Sequence, residues 1–300
     1  MRRAASWIVQ AAIAALAVSA PAMADCNAQI SKAGPISPVA YDPFDGVARS
    51  VTFDVEFTNR GNDACTISLA VAGQTPGASR YFKNGADQLR YTVEWSDGSA
   101  LPNNISSPQG SISLQGGNGK KKTATLRVKV PAGLIGPAKT YTDMLTLRAY
   151  KAGTSTRLGS DLTASDSAVV AARAQVNIAG SVSSKFGAFG IDEIDFHTMT
   201  TGEIKNAIVQ VRATTAVAIG VTSQNKGKLR HKILLADPGV VYTMSLDGVS
   251  VNLTSPVTLN RAPPVSLDGS SYPMILTLGS VAGRPAGNYQ DCLTITVSPQ

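Results

Sequence analysis

The sequence predicts an all-β chain of two similar antiparallel sandwich domains behind an export signal. Three observations carry this: short runs of strict apolar–polar alternation, an internal duplication, and an apolar N-terminal run with a small-residue cleavage pattern.

Val51-Thr52-Phe53-Asp54-Val55-Glu56-Phe57 alternates cleanly, as do Thr123 to Val130 and Leu293-Thr294-Ile295-Thr296-Val297. A period of two describes a half-buried strand with one face inward. Turn-forming clusters separate such runs: Asn59-Arg60-Gly61-Asn62-Asp63, Ser96-Asp97-Gly98, Gly116-Gly117-Asn118-Gly119 and Asp247-Gly248. Short strands at regular spacing with such turns describe an antiparallel sandwich. No segment after residue 24 reads as a capped amphipathic helix.

The duplication is read from paired segments. Tyr141-Thr142-Asp143-Met144-Leu145-Thr146-Leu147 matches Tyr289-Gln290-Asp291-Cys292-Leu293-Thr294-Ile295. Tyr91-Thr92-Val93 with Asp97-Gly98 matches Tyr242-Thr243-Met244 with Asp247-Gly248, and Cys65 to Leu69 falls against Val217 to Val221. The offsets lie between 148 and 152 residues, which indicates two domains rather than a short solenoid repeat. The join is expected in the polar stretch Gly153 to Ala174, which can also hold the last strand of the first half. We place the domains at 25–165 and 166–300, with a boundary good to roughly ten residues.

The repeated Tyr-x-Asp follows a Gly/Pro turn and opens a strand. Its Tyr ring is expected to cap the core while the hydroxyl finds a backbone partner, and its Asp to satisfy turn amides. A catalytic pair would need a base or nucleophile at a repeated position, and neither copy has one.

At the start, Arg2 and Arg3 precede the apolar run Trp7 to Val18, and Ala22-Met23-Ala24 completes a signal peptide over 1–24. The run is short for a bilayer span, which needs about 20 apolar residues. About 275 residues remain, enough for two domains of ordinary size. Cleavage lowers the net charge from +7 to +5. The densest cluster, Lys120-Lys121-Lys122, lacks the interleaved aromatics of a nucleic-acid face, so no nucleic-acid partner is expected. The mature chain has three cysteines. Export permits disulfides, and Cys26 and Cys65 are the natural pair because they share a half. Closing that loop contributes roughly 4 kcal/mol on the chain-entropy model. Cys292 is left single and reads as a partly buried small apolar residue rather than an intermolecular disulfide.

No enzyme signature emerges. There is no Gly-x-Ser-x-Gly elbow, phosphate-binding Gly loop or Cys/His nucleophile arrangement, and no cofactor is expected. Glu56, Glu94 and Asp97 are the tempting carboxylates for a hydrolase cleft, but the strand period puts Glu56 on an outward face. Asp192-Glu193 with Asp195 and His197 is the one dense set of hard ligands, and it lacks the alternating order of calcium loops.

The Gly287-Asn288-Tyr289-Gln290-Asp291-Cys292-Leu293-Thr294-Ile295-Thr296-Val297 ending resembles the spore coat protein U family, pilins of archaic chaperone–usher fibres. Tyr242 to Gly248 is similar to that family's central strand and turn, and the Cys26 and Cys65 pair to its early disulfide. The second half departs from the pattern by having Val217 in the place of Cys65, and the first half lacks the Gly two places before its Tyr. The resemblance implies two tandem immunoglobulin-like antiparallel β-sandwich domains, the C-terminal one lacking its last strand. An extended N-terminal arm of a neighbouring pilin subunit would fill that groove, lined by Val176, Ile178, Leu293, Ile295 and Val297. It implies a periplasmic pilus chaperone and an outer-membrane usher as further partners, with the periplasm as a transit compartment and the cell-surface fimbrium as destination. The mature chain reaches Cys26 at once, which leaves no free arm to donate and favours a fibre-tip position. The first domain would then be adhesive, serving cell attachment or biofilm formation. Phe44, Tyr81, Phe82, Leu101, Ile105, Leu134 and Ile135 are its candidate adhesive loop residues: exposed together at one end they would form an apolar patch, the alternative being that each tucks under its own loop. The alternative is a secreted two-domain module for carbohydrate or surface binding that does not polymerise.

Overall fold

Alternating burial along a pleated strand is visible in each long run. In β3 (Arg49–Asn59), Phe53, Val55 and Phe57 are buried while Thr52 and Asp54 face out. The computed structural model describes residues 26–75, 77–179, 193–262 and 268–300. The expected leader, 1–24, and Asp192 lie outside the described residues. Among those described there are strands, turns and bends but no helix.

The strands before β3 are β1 (Ala28–Ala33) and β2 (Val39–Tyr41). After it come β4 (Cys65–Ala72), β5 (Arg80–Asn84), β6 (Asp87–Trp95), β7 (Ala100–Leu101), β8 (Gln109–Leu114), β9 (Lys121–Val130), β10 (Thr140–Lys151) and β11 (Arg157–Val170). One layer runs β1-β3-β9-β6, with β7 on the outer edge of β6. The facing layer runs β8-β4-β10-β11, with β2 parallel to β11. The β5 strand bridges the two, pairing with β6 and touching β10 at Thr142. Two antiparallel layers packed face to face in this way form an immunoglobulin-like sandwich.

The second half repeats the plan. Its strands are β12 (Ala174–Ala179), β13 (Ile204–Ala213), β14 (Val217–Ser223), β15 (Lys228–His231), β16 (Val240–Leu246), β17 (Val249–Val251), β18 (Val257–Arg261), β19 (Ser270–Leu278), β20 (Tyr289–Gln290) and β21 (Leu293–Pro299). One layer is β12-β13-β19-β16 with β17, the other β18-β14-β21, and β15 bridges to β20. Strand by strand, β12 stands for β1, β13 for β3, β14 for β4, β15 for β5, β16 for β6, β19 for β9, and β20 with β21 for β10. Among the described residues β2 and β11 have no counterpart.

Each half has its own core. Leu126, Val128, Leu145 and Leu147 are fully buried in the first, Val209, Val211, Ile219 and Leu246 in the second. Cys26, just before β1, is disulfide-bonded to Cys65 at the start of β4, with the Cα atoms 5.2 Å apart, so the bond ties the two layers together. The boundary expected between 165 and 166 falls inside β11. That strand pairs with β10 as far as Val169, so the join is 171–173. The domains touch there: Ala138 N donates to Thr214 O at 2.7 Å, Arg173 pairs with Asp42 at 3.0 Å, and the Arg212 guanidinium lies 4.9 Å from the Phe44 ring.

Candidate functional site

The two copies of the strand carrying Tyr-x-Asp differ in one respect that matters. In the first half β10 is bonded along both edges. It pairs with β4 from Thr146↔Ala72 to Lys151↔Ile67, and with β11 antiparallel from Thr140↔Val169 to Tyr150↔Arg157. Leu158, Ala168 and Val170 of β11 are buried, and Leu162 and Ala164 pack against the same core. Under this cover Tyr141, Leu145, Leu147 and Ala149 of β10 are fully buried.

In the second half β21 is bonded along one edge, to β14 from Val217↔Pro299 to Ser223↔Leu293. Among the described residues no strand pairs with its other edge. Leu293, Ile295 and Val297, the counterparts of Leu145, Leu147 and Ala149, pack on the second core but remain half-buried, and so does Tyr289. Val176 of β12 packs half-buried on the same core, and Ile178, two residues on, is also half-buried. These two pair with Val211 and Val209 of β13. The expected groove residues thus come from two strands, β12 and β21, one in each layer. An unpaired edge with half-covered apolar side chains beneath it presents a row of free backbone donors and acceptors.

The Tyr-x-Asp motif builds the same scaffold twice. Tyr141 donates its hydroxyl to Pro137 O at 2.9 Å, and Tyr289 donates to Pro285 O at 2.9 Å. Asp143 accepts from Tyr91 Oη at 2.6 Å and from the amides of Gln74 and Met144. Asp291 accepts from Tyr242 Oη at 2.6 Å and from the amides of Asn225 and Cys292. Burial, then the hydrogen bond to the carboxylate, pushes the Tyr91 and Tyr242 phenols well above their usual range. These are neutral donors at any working pH, holding a carboxylate at the strand entrance.

Among the described residues only the first half adds a second carboxylate. Asp166 of β11 stands directly opposite Asp143 across the β10–β11 pair. It is 2% exposed, and its Oδ2 has no hydrogen-bond partner. Burial first, and the neighbouring Asp143 charge after it, push its pKa up to about 7, against the lowering effect of the Ser167 amide.

The candidate adhesive residues do not form an exposed patch. Phe82 is fully buried with its ring stacked on Tyr91 at 4.0 Å, and Leu101 is buried in β7 beneath a backbone carbonyl held by Arg80. Phe44, Tyr81, Ile105, Leu134 and Ile135 are half-buried, and Leu134 packs on the first core with its amide donating to Tyr41 Oη. Short Gly- and Pro-rich neighbourhoods had marked them as loop tips, but strand pairing turns Phe82 and Leu101 inward. Cys292, expected to be partly buried, is free and exposed, because it occupies an outward position of the alternating strand. The densest run of exposed large aliphatics is elsewhere: Ile233, Leu234 and Leu235 between β15 and β16. Their signal in the sequence was an apolar triplet between a basic run and Asp237-Pro238-Gly239.

The hydrolase and metal candidates are scattered or exposed. Glu56 accepts from Lys121 Nζ and Ser31 Oγ, Glu94 pairs with Lys129 at 3.4 Å, and Asp97 caps its own turn through Ser99. Asp195 and His197 form an exposed pair at 2.8 Å. Among the described residues no group of three or more His, Cys, Asp or Glu side chains could hold a metal.

No protein-family model and no curated protein matches the chain. Among solved structures it is similar to a protein of the chaperone–tip adhesion subunit complex of archaic Csu pili from Acinetobacter baumannii. Identity there is 13%, with 89% of this chain and 99% of that one covered at a TM-score of 0.47. The CfaE adhesin of enterotoxigenic E. coli CFA/I is 16% identical over 89% of this chain and 94% of its own, at 0.39. The CupB6 tip adhesin of Pseudomonas aeruginosa is 13% identical over 91% and 93%, at 0.35.

Proposed function

We propose that this chain is a subunit of a chaperone–usher pilus, placed at the fibre tip, whose C-terminal sandwich is completed by a strand from a neighbouring subunit. The observation that carries this is internal to the molecule: β10 is flanked by β4 and β11, whereas β21, among the described residues, is flanked by β14 alone. The first sandwich therefore displays the closing strand that the second is missing among the described residues. Strand addition supplies backbone hydrogen bonds along the whole edge and seats alternate side chains in the half-filled core. In transit a periplasmic chaperone would cover the same edge, and an outer-membrane usher would hand it on. The tip position is supported by the closed first domain, whose strand β10 already has both partners and whose Cys26 is tied to β4. That domain would be carried outward for attachment.

The test is periplasmic expression of residues 25–300 with and without the fibre chaperone, followed by size-exclusion chromatography, using wild type and Ile295→Asp. Expected for wild type is a stable one-to-one complex, with aggregation or proteolysis when the chaperone is omitted. Ile295→Asp should lose the complex, because a carboxylate in the groove opposes burial of the incoming strand. A wild-type chain that is monodisperse alone and ignores the chaperone would instead be a self-sufficient binding module.

A further inference from the structure

The loop joining β15 to β16, 232–239, holds three large aliphatics in solvent: Ile233 is 81% exposed, Leu234 48% and Leu235 82%. It is a built feature. The His231 ring, itself buried, accepts from the Ile233 and Leu234 amides on Nδ1 at 3.1 and 2.9 Å, and its Nε2 faces Ala286 O at 3.3 Å. Gly287 lies so close to that ring that a Cβ there would strike it. The Leu235 amide donates to Ile233 O, and Asp237 closes the turn by accepting from the Gly239 amide. In the first domain the equivalent β5–β6 connection is only 85–86. The second domain has thus lengthened this one hairpin and filled it with apolar side chains. Exposed aliphatics on an ordered loop cost solubility unless something covers them.

The first domain indicates what covers them. Its closing strand β11 runs antiparallel to β10 and ends beside Tyr141, at the pole where β10 begins. After 171–173 the chain enters the next sandwich, which abuts that same pole through Ala138, Asp42 and Phe44. In the second domain the corresponding pole is the start of β20. Lys232 N bonds to Asn288 O there, and His231 pairs with Tyr289, so the aliphatic loop stands at that pole. An N-terminal arm entering beside β21 in the orientation of β11 would leave the groove at Tyr289 and continue into its own subunit's body there.

Resting on the strand-addition reading, we infer that Ile233, Leu234 and Leu235 form the docking contact for the body of the strand-donating subunit, separate from the groove that takes its arm. The groove sets which arm fits. The loop adds a second contact that only a whole subunit satisfies, and linking two contacts raises residence without changing either one.

The experiment compares wild type with the double variant Ile233→Ser, Leu235→Ser, each purified as the full mature chain in its chaperone complex and immobilised so that an incoming arm takes the chaperone's place in the groove. The probes are a pilin subunit of the same fibre bearing its arm, and that arm alone as a synthetic peptide. Expected is arm-peptide dissociation within about twofold of wild type, and whole-subunit dissociation faster by about tenfold or more, as for loss of a small apolar contact centre. An unchanged thermal unfolding profile confirms that these exposed positions leave the fold intact. If arm and subunit both dissociate from the variant as from wild type, the docking role is overturned and strand addition stands. If neither probe binds wild type, strand addition itself fails and the docking role with it. Variant-sensitive sedimentation with anionic phospholipid vesicles, with subunit dissociation unchanged, would overturn the inference in favour of a lipid surface.

Discussion

Replacing Asp166 by Asn tests the buried carboxylate opposite Asp143 and, through it, the grip of β11 on β10. In the folded chain Asp166 has a pKa of about 7, raised by burial and by Asp143, against 3.8 for the free side chain. The folded state therefore holds a proton that the unfolded chain has released, and stability falls as pH rises from about 4 through about 7. With 1.36 kcal/mol for each pH unit of difference, the loss approaches roughly 4 kcal/mol by pH 8. Asn carries no charge, so the variant should lack this slope and be the more stable of the two at pH 8. Urea unfolding of the first domain from pH 5 to 8.5, wild type against variant, reads this directly. The comparison is clean because both histidines of the chain, His197 and His231, lie in the second half, leaving no side chain of ordinary pKa in the first domain to titrate near 7. A wild-type profile as flat as that of the variant would refute the account, since it would mean that Asp166 reaches water or a cation that the geometry denies it.

Two further outcomes are expected. Tyr91→Phe should destabilise the first domain by about 1–3 kcal/mol, because it strips a donor from a buried carboxylate. The equivalent Tyr242→Phe should cost the second domain less, since Asp291 is half-exposed and keeps the Ser223 hydroxyl at 2.6 Å, as domain-resolved denaturation would show. Cys292 should react with a thiol reagent in the native chain at the rate of an open thiol, whereas Cys26 and Cys65 should stay silent until reduction.

The sequence alone determined the strand content, the duplication and the structural role of Tyr-x-Asp. Each of these is written in local order: alternation fixes which side chains face inward, and the near-constant offset aligns Tyr141 with Tyr289 and Asp143 with Asp291. The shared inward face of Leu293, Ile295 and Val297 was legible for the same reason, since a strand's inward positions follow from its period. Tertiary structure decided what depended on pairing partners distant in the chain. The polar, serine-rich run ending at Val170 has weak strand character of its own, and it becomes β11 because β10 offers it an edge. Phe82 and Leu101 looked like loop tips until Tyr91 and Arg80 drew them inside. The exposure of Ile233 to Leu235 was likewise invisible to composition, because an apolar triplet reads as core unless the neighbouring hairpin leaves it nothing to pack against. Above all, which of two near-identical strands is covered and which is open is a property of the sheet edge, and an edge exists only once the other strands have been placed.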